Sequence, residues 1–309
     1  MIKYIKYLTF LTFVLGGINC SSNKSLVKNE KPRIKSIKSS SHSADLENNN
    51  SNNGKAYTLK EYDIKGNLIK SEQYDMNGNL KWRYLNEYDD YGNQINSSSY
   101  SSSSRINTVT KSEYVYDSNG NILKKFHQSG NEYRPNKNVS ESEYFYKNGN
   151  LIREVRKEVY LGKEETISKK YKYNEFNSID SIYIFRDEHL SETTAFNYND
   201  NGLLLETLKV TYPKGGNPKY IKVTKKFDGA NNTILEIAED PTGYYYKKEF
   251  EFNSLGLETK FKEYKKNGEI ITDDSFEYTL DEYQNWIKSK RYSFGKSDWI
   301  SKREIEYHK

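Results

Sequence analysis

A seven-residue unit, Tyr-Asp-x-x-Gly-Asn-Leu, returns along most of this chain, and its internal spacing dictates what the chain can fold into. It reads Tyr62-Asp63-Ile64-Lys65-Gly66-Asn67-Leu68, then recurs from Tyr74 to Leu80 and from Tyr116 to Ile122. Tyr88 to Asn93 is a further copy, and weaker ones start at Tyr146, Tyr173, Tyr198, Phe227, Phe252 and Tyr264. A last copy reads Leu280-Asp281-Glu282-Tyr283-Gln284-Asn285-Trp286. Asp, two free positions and then Gly are what a type I turn followed by a left-handed residue requires: Asp caps the turn and Gly accepts positive φ. That is a three-residue hairpin connection with a bulge at the Gly. It sets Tyr62 against Leu68, Tyr74 against Leu80 and Tyr116 against Ile122. At Tyr146-Lys147-Asn148-Gly149-Asn150-Leu151 one residue is missing, but Asn-Gly favours a two-residue turn that again opposes Tyr146 and Leu151.

Ahead of the turns, aromatics stand two apart at Tyr114 and Tyr116, Tyr144 and Tyr146, Tyr171 and Tyr173, Phe196 and Tyr198, Phe250 and Phe252, and Phe276 and Tyr278. Such spacing puts both rings on one face of a strand. The expected fold is all-β: a long antiparallel meander of about 18 to 20 strands built from these hairpins, with no convincing helical period. Laid flat at about 4.8 Å per strand it would reach roughly 90 Å, so native twist should curl it or wind it into a spiral.

The Tyr-Asp-x-x-Gly-Asn-Leu units resemble the YD repeats of the Rhs family, and Asp281-Glu282-Tyr283-Gln284-Asn285-Trp286 is similar to a common variant of that repeat. The resemblance covers about residues 57 to 292 and weakens in the second half, where Gly-Asn is replaced at Asn177-Ser178 and Ala230-Asn231. It implies a curled or spiralling sheet in an exported or cell-surface bacterial protein. Large Rhs proteins build a shell around a C-terminal toxin; no toxin-like region is visible here.

Composition fits a sheet without a large core: 34% of residues are hydrophobic, and 29 of the 45 aromatics are Tyr. Residues 1–20 carry Lys3 and Lys6, an apolar run from Leu8 to Ile18, and then Cys20, the single cysteine. The run is too short for a spanning helix and matches the core of a secretory signal. With Cys20 behind it, the segment resembles a bacterial lipoprotein signal, although Gly17, Ile18 and Asn19 depart from the usual box before the cysteine. An ordinary cleaved signal or an uncleaved anchor is the alternative. Residues 21–56 hold 16 Ser and Asn, a composition expected of a flexible tether. Residues 57–309 then form the repeat domain, with 39 Lys and Arg against 40 Asp and Glu, so the basic surplus belongs to the leader and tether. Without a basic face the domain is not expected to bind nucleic acid.

No catalytic, cofactor or metal site is expected. His42, His127, His189 and His308 show no metal spacing. Asp75-Met76-Asn77-Gly78-Asn79 has the start of a calcium loop, but its Gly is fourth rather than sixth and no closing Glu follows. Adjacent carboxylates such as Asp273 and Asp274 point to opposite faces of a strand. Trp82, Trp286 and Trp299 offer flat faces for a sugar ring or a protein partner, or else brace the sheet. These readings together describe a non-catalytic cell-envelope lipoprotein, joined to the membrane through lipid on Cys20. It would be sorted to the outer membrane, face the periplasm or cell surface, and present a repeat sheet for binding or scaffolding. A carbohydrate-binding module and an accessory scaffold of a toxin or secretion locus are the alternatives.

Overall fold

The computed structural model describes residues 31–44, 56–103, 107–131, 134–160 and 162–309. Cys20 and its signal lie outside them. Within the compact unit Pro32–Lys309 every regular element among the described residues is a strand. The first half comprises β1 (Ile34–Ser43), β2 (Tyr57–Tyr62), β3 (Leu68–Tyr74), β4 (Leu80–Tyr88), β5 (Gln94–Ser101), β6 (Thr108–Tyr116), β7 (Ile122–Asn131), β8 (Arg134–Lys147), β9 (Asn150–Tyr160) and β10 (Lys163–Tyr173). The second comprises β11 (Ile179–Arg186), β12 (His189–Tyr198), β13 (Leu204–Thr211), β14 (Lys219–Phe227), β15 (Thr233–Glu239), β16 (Tyr245–Phe252), β17 (Glu258–Tyr264), β18 (Ile270–Leu280), β19 (Trp286–Ser293) and β20 (Lys296–Tyr307).

Each strand pairs antiparallel with the next, and β20 pairs with β1, so the sheet is a closed ring of 20 strands. Two expectations change. The curl closes into a ring rather than winding into a spiral, because β1 bridges β2 and β20. And the tether is not 21–56 throughout: Ile34–Ser43, assigned to it on composition, form the closing strand, paired from Ser36↔Glu61 to Ser40↔Tyr57 and from Ile34↔Tyr307 to Ser43↔Trp299. Ser and Asn content speaks against a segment burying apolar surface alone, but two flanking edges with unpaired amides and carbonyls recruit such a segment through its backbone.

The turn chemistry holds in detail. Tyr62 opposes Leu68, Tyr74 opposes Leu80, Tyr116 opposes Ile122 and Tyr146 opposes Leu151. At the first turn Asp63 N donates to Asn67 O at 2.9 Å and Gly66 N to Asp63 O at 3.0 Å. The Asp63 carboxylate accepts from Asn67 N at 2.8 Å and from Asn67 Nδ2 at 2.9 Å, which explains why Asn follows Gly in the repeat. The weak copies keep the geometry with other residues. Asn177, Asn231 and Gln284 take the left-handed position at φ 62, 68 and 63° respectively in place of Gly, and Lys265 with Glu269 replaces the Asp and Asn pair by an ion pair at 3.0 Å. Beyond each turn the register slips by one residue, as between Val115 and Tyr116. A bulge bends its strand and sharpens the local twist, so repeating it hairpin after hairpin curls the meander onto itself.

Even-numbered strands all end at one rim of the ring, where the turns after β2, β4, β6, β10, β12, β14, β16 and β18 share the five-residue hydrogen-bonded geometry. The repeat therefore marks mainly this rim, with the copies at Tyr74 and Tyr264 on the other. Here the pre-turn Tyr hydroxyls reach back to the preceding hairpin: Tyr88 donates to Leu68 O at 3.0 Å, Tyr146 to Ile122 O at 3.0 Å, Tyr173 to Leu151 O at 2.9 Å and Tyr198 to Ile179 O at 2.9 Å. Tyr116 and Tyr307 bond instead to the Asp89 and Asp281 carboxylates of the previous rim turn. Tyr146→Phe should remove one such tie and lower unfolding stability by about 0.5–1.5 kcal/mol in urea titration. An unchanged midpoint would show that the tie contributes nothing.

Glycine at the rim is tested by contrast. A Cβ on Gly120 would meet the Tyr91 ring at 3.2 Å, whereas one on Gly78 meets nothing within 4 Å, and both residues have positive φ. Both Ala variants should lose about 1 kcal/mol to the left-handed backbone. Gly120→Ala should lose more, because it also disturbs the Tyr91–Tyr116 stack at 4.3 Å. Equal midpoints in paired denaturant melts would contradict this.

The face carrying these Tyr is the inside of the ring. Side chains converge on a concave face and lose water there. Burial is the first cause raising the hydroxyls of Tyr62, Tyr88, Tyr144, Tyr171, Tyr198 and Tyr278, all on that face by register. On the opposite face Tyr74 and Tyr264 are raised first by donating to Glu72 and Glu249. No conventional core exists: the buried hydrophobics among the described residues are Ile167, Ala238 and Ile300. Cross-strand pairs, each contributing roughly 0.2–1 kcal/mol, hold the wall together. Both faces also carry charge. Lys124 with Glu143 and Lys70 with Glu72 lie outside, Lys169 with Glu154 and Arg291 with Asp274 inside. A wall of this kind does not suit a lipid-facing barrel, where Lys or Arg at the midplane costs about 2–4 kcal/mol. No helix among the described residues is long and apolar enough to cross a membrane.

Candidate functional site

The three Trp do not assemble. Trp82 lies on β4, on the inner face with Tyr84 and Tyr88. Its ring is parallel to that of Tyr84, with centroids 6.3 Å apart and planes 10° from each other. Both stay open to solvent, at 43% and 44%. Trp286 opposes Leu280 beside the last rim turn, with the Arg303 guanidinium 3.3 Å from its ring centroid and Tyr278 at 6.4 Å. It braces the sheet. Trp299 pairs with Arg291 and Ser43 near the other rim and is 41% exposed. With β1, β2 and β3 between their strands, Trp82 and Trp299 are about 19 Å apart at four strand spacings, too far to share one sugar ring. Tyr84 is the ring that partners Trp82. Its signal was present, since Trp82 and Tyr84 are two apart like the pre-turn pairs, but they precede no turn.

A second feature has no sequence signature of its own. Where β6 to β9 cross the inner face, Ser112, Ser129, Ser140 and Ser142 occupy positions that carry large side chains nearer the rim. The small side chains leave a recess of about 300 Å³ between His127, Asn138, Arg156 and Glu158, with Tyr160 at its edge. His127 Nδ1 lies 3.0 Å from the Ser112 hydroxyl, and the Asn138 amide donates to Ser129 Oγ at 3.1 Å. Arg156 Nε is 3.1 Å from a Glu158 oxygen but not aligned to donate to it. That Nε and Asn138 Oδ1 are shut from water with no hydrogen-bond partner. Burial, and then the charges of Lys125 and Arg156, lower the His127 pKa, so its ring is neutral at pH 7.

Other candidates are absorbed by structure. The Asp75 carboxylate accepts from Asn77 N and Asn79 N at 2.9 Å and faces Lys81 Nζ at 3.1 Å. These partners, the Asn79 amide first, hold it at about 2, and its lone pairs serve the turn. Asp273 pairs with Lys262 at 3.3 Å on one face and Asp274 faces Arg291 at 3.7 Å on the other, so these neighbours do not form an acid–base couple. Among the described residues no three His, Cys, Asp or Glu cluster as metal ligands. His308 Nε2 lies 3.1 Å from Tyr62 O, and His189 opens β12.

No protein-family model matches the sequence, and no curated protein does. Among solved structures, the chain is similar to part of the TcdB2-TccC3-Cdc42 complex, at 13% identity and a TM-score of 0.38 over 77% of this chain and 14% of that one. It is also similar to part of the Tc holotoxin pore of Photorhabdus luminescens, at 11% identity and a TM-score of 0.37 over 76% and 15%. A porin-like protein from Bacteroides uniformis aligns at 11% identity and a TM-score of 0.31, over 88% of this chain and 98% of that one. The chain thus spans about one-seventh of the toxin chains' length.

Proposed function

We propose that this chain is a non-catalytic cell-envelope lipoprotein whose ring binds or scaffolds rather than converts. The observation that carries the binding reading is the closed, wet-walled ring, a shape-stable surface of polar and aromatic side chains. Cys20 supplies the anchor in this reading. Because β1 begins at Ile34, only the eleven residues 21–31 separate Cys20 from Pro32. A spacer of that length reaches at most about 40 Å when fully extended. Metabolic labelling with a palmitate analogue tests the anchor. Label should enter the wild-type chain and not Cys20→Ser, and an unlabelled wild type released with soluble periplasm would refute it.

The carbohydrate reading is favoured by one observation, the exposed parallel pair of Trp82 and Tyr84. Aromatic faces open to solvent suit the apolar side of a sugar ring. Envelope glycans should quench tryptophan fluorescence in the wild type and not in Trp82→Ala. A flat titration across neutral and acidic glycans would count against it.

A further inference from the structure

The recess of β7 to β9 is separate from the Trp82–Tyr84 pair and independent of the anchor. Its chemistry is uneven in a way that describes a ligand. Ser129 and Ser140 line it, Asn138 keeps an unpartnered carbonyl oxygen, and Glu158 offers a carboxylate. Those groups suit hydroxyls. The Arg156 side chain, more than one-third exposed, carries the charged donor on the wall, and its Nε is unpartnered. A guanidinium presents a planar fork matched to a carboxylate. A recess of about 300 Å³ lies at the small end of ligand sites. Neighbouring inner positions are filled by Tyr114, Tyr144 and Tyr146, so the space exists only because small residues stand on three successive strands.

We propose that this recess binds a small polyhydroxylated ligand bearing a carboxylate, of the acidic-sugar class. Arg156 takes the carboxylate, Asn138 and Glu158 accept from hydroxyls, and His127, held by Ser112, supplies its Nε2 edge. The Tyr160 ring at the edge lies against the ligand's apolar side.

Calorimetric titration of the full chain with glucuronate, glucose and inorganic phosphate tests this. Glucuronate should bind saturably, with glucose and phosphate each at least tenfold weaker. Arg156→Gln should weaken glucuronate at least tenfold, and Ser140→Leu, which fills the recess without removing charge, should do the same. The His127 ring proton resonances should move on adding glucuronate to the wild type and stay fixed in Ser140→Leu, with near-ultraviolet circular dichroism confirming that each variant keeps its fold. Equal binding of glucose removes the role of Arg156, and equal binding of phosphate reduces the recess to an anion site. Either result, or no glucuronate binding at all, overturns the proposal.

Discussion

Removing residues 32–44 should abolish the cooperative melt of the ring. β1 meets β2 at five positions and β20 at nine. At roughly 0.2–1 kcal/mol per cross-strand pair, their loss is about 3–14 kcal/mol, the size of a whole domain's stability. The deletion also leaves β2 and β20 with open edges. Lys302, Glu304 and Glu306 on β20 discourage other strands from adding there, so the expected product is a loosened, soluble sheet more than a precipitate. Thermal circular dichroism of residues 32–309 against 45–309 reads the difference. A peptide of residues 32–44 added in trans should restore part of the transition by strand addition. Equal melting temperatures for the two chains would mean that closure does not stabilise the sheet. The same result governs any binding assay: a domain cut at residue 57, the boundary that composition suggests, lacks the closing strand.

Alkali should unfold this protein over a narrow range. The hydroxyls of Tyr116 and Tyr307 are pushed up to about 12, by burial first and then by donating to Asp89 and Asp281. That of Tyr264 reaches about 12, first because it donates to Glu249. Burial raises Tyr171 and Tyr246 as well. A group whose folded pKa lies above its unfolded value of 10.0 favours the folded state fully below pH 10. Its contribution is lost as the pH climbs from about 10 to about 12, where the unfolded chain has already released the proton and the folded one has not. Tyrosinate absorbance and far-ultraviolet circular dichroism should therefore change together in that window, with the absorbance lagging that of an unfolded control. Smooth ionisation near pH 10 with the sheet intact would show that burial and carboxylate partners do not hold these hydroxyls protonated.

What the sequence revealed, and what it concealed, divides along the range of the interactions. Tyr116 against Ile122 was legible because five turn residues fix the register of their own hairpin. Curling was legible from the number of strands, but closure was not, since it depends on β1, whose Ser-rich sequence carries little period and whose partner β20 lies at the other end of the chain. Trp82 and Tyr84 obey the same two-residue rule as the pre-turn rings and were missed only for want of a turn beside them. The recess lay beyond reach for a different reason. Ser112, Ser129, Ser140 and Ser142 are unremarkable singly, and only the registers of two strand pairs place them together.

Nineteen joints of the ring connect strands adjacent in sequence, each able to form as a hairpin as soon as its residues are available. The twentieth joins Ser36 to Glu306, 270 positions apart. Loop-closure entropy grows only slowly with such length, by about 0.6 kcal/mol for each doubling, so the seam is thermodynamically affordable but kinetically last. Until it forms, the folding chain is a ribbon with one free strand at each end. Two such ribbons meeting at high concentration can satisfy both ends with each other and close as a single larger ring, a strand exchange that costs little because the contacts are identical. In the finished molecule the same seam is the one place where unfolding can begin without first breaking a hairpin, and amide exchange along β1 should be the first to report it.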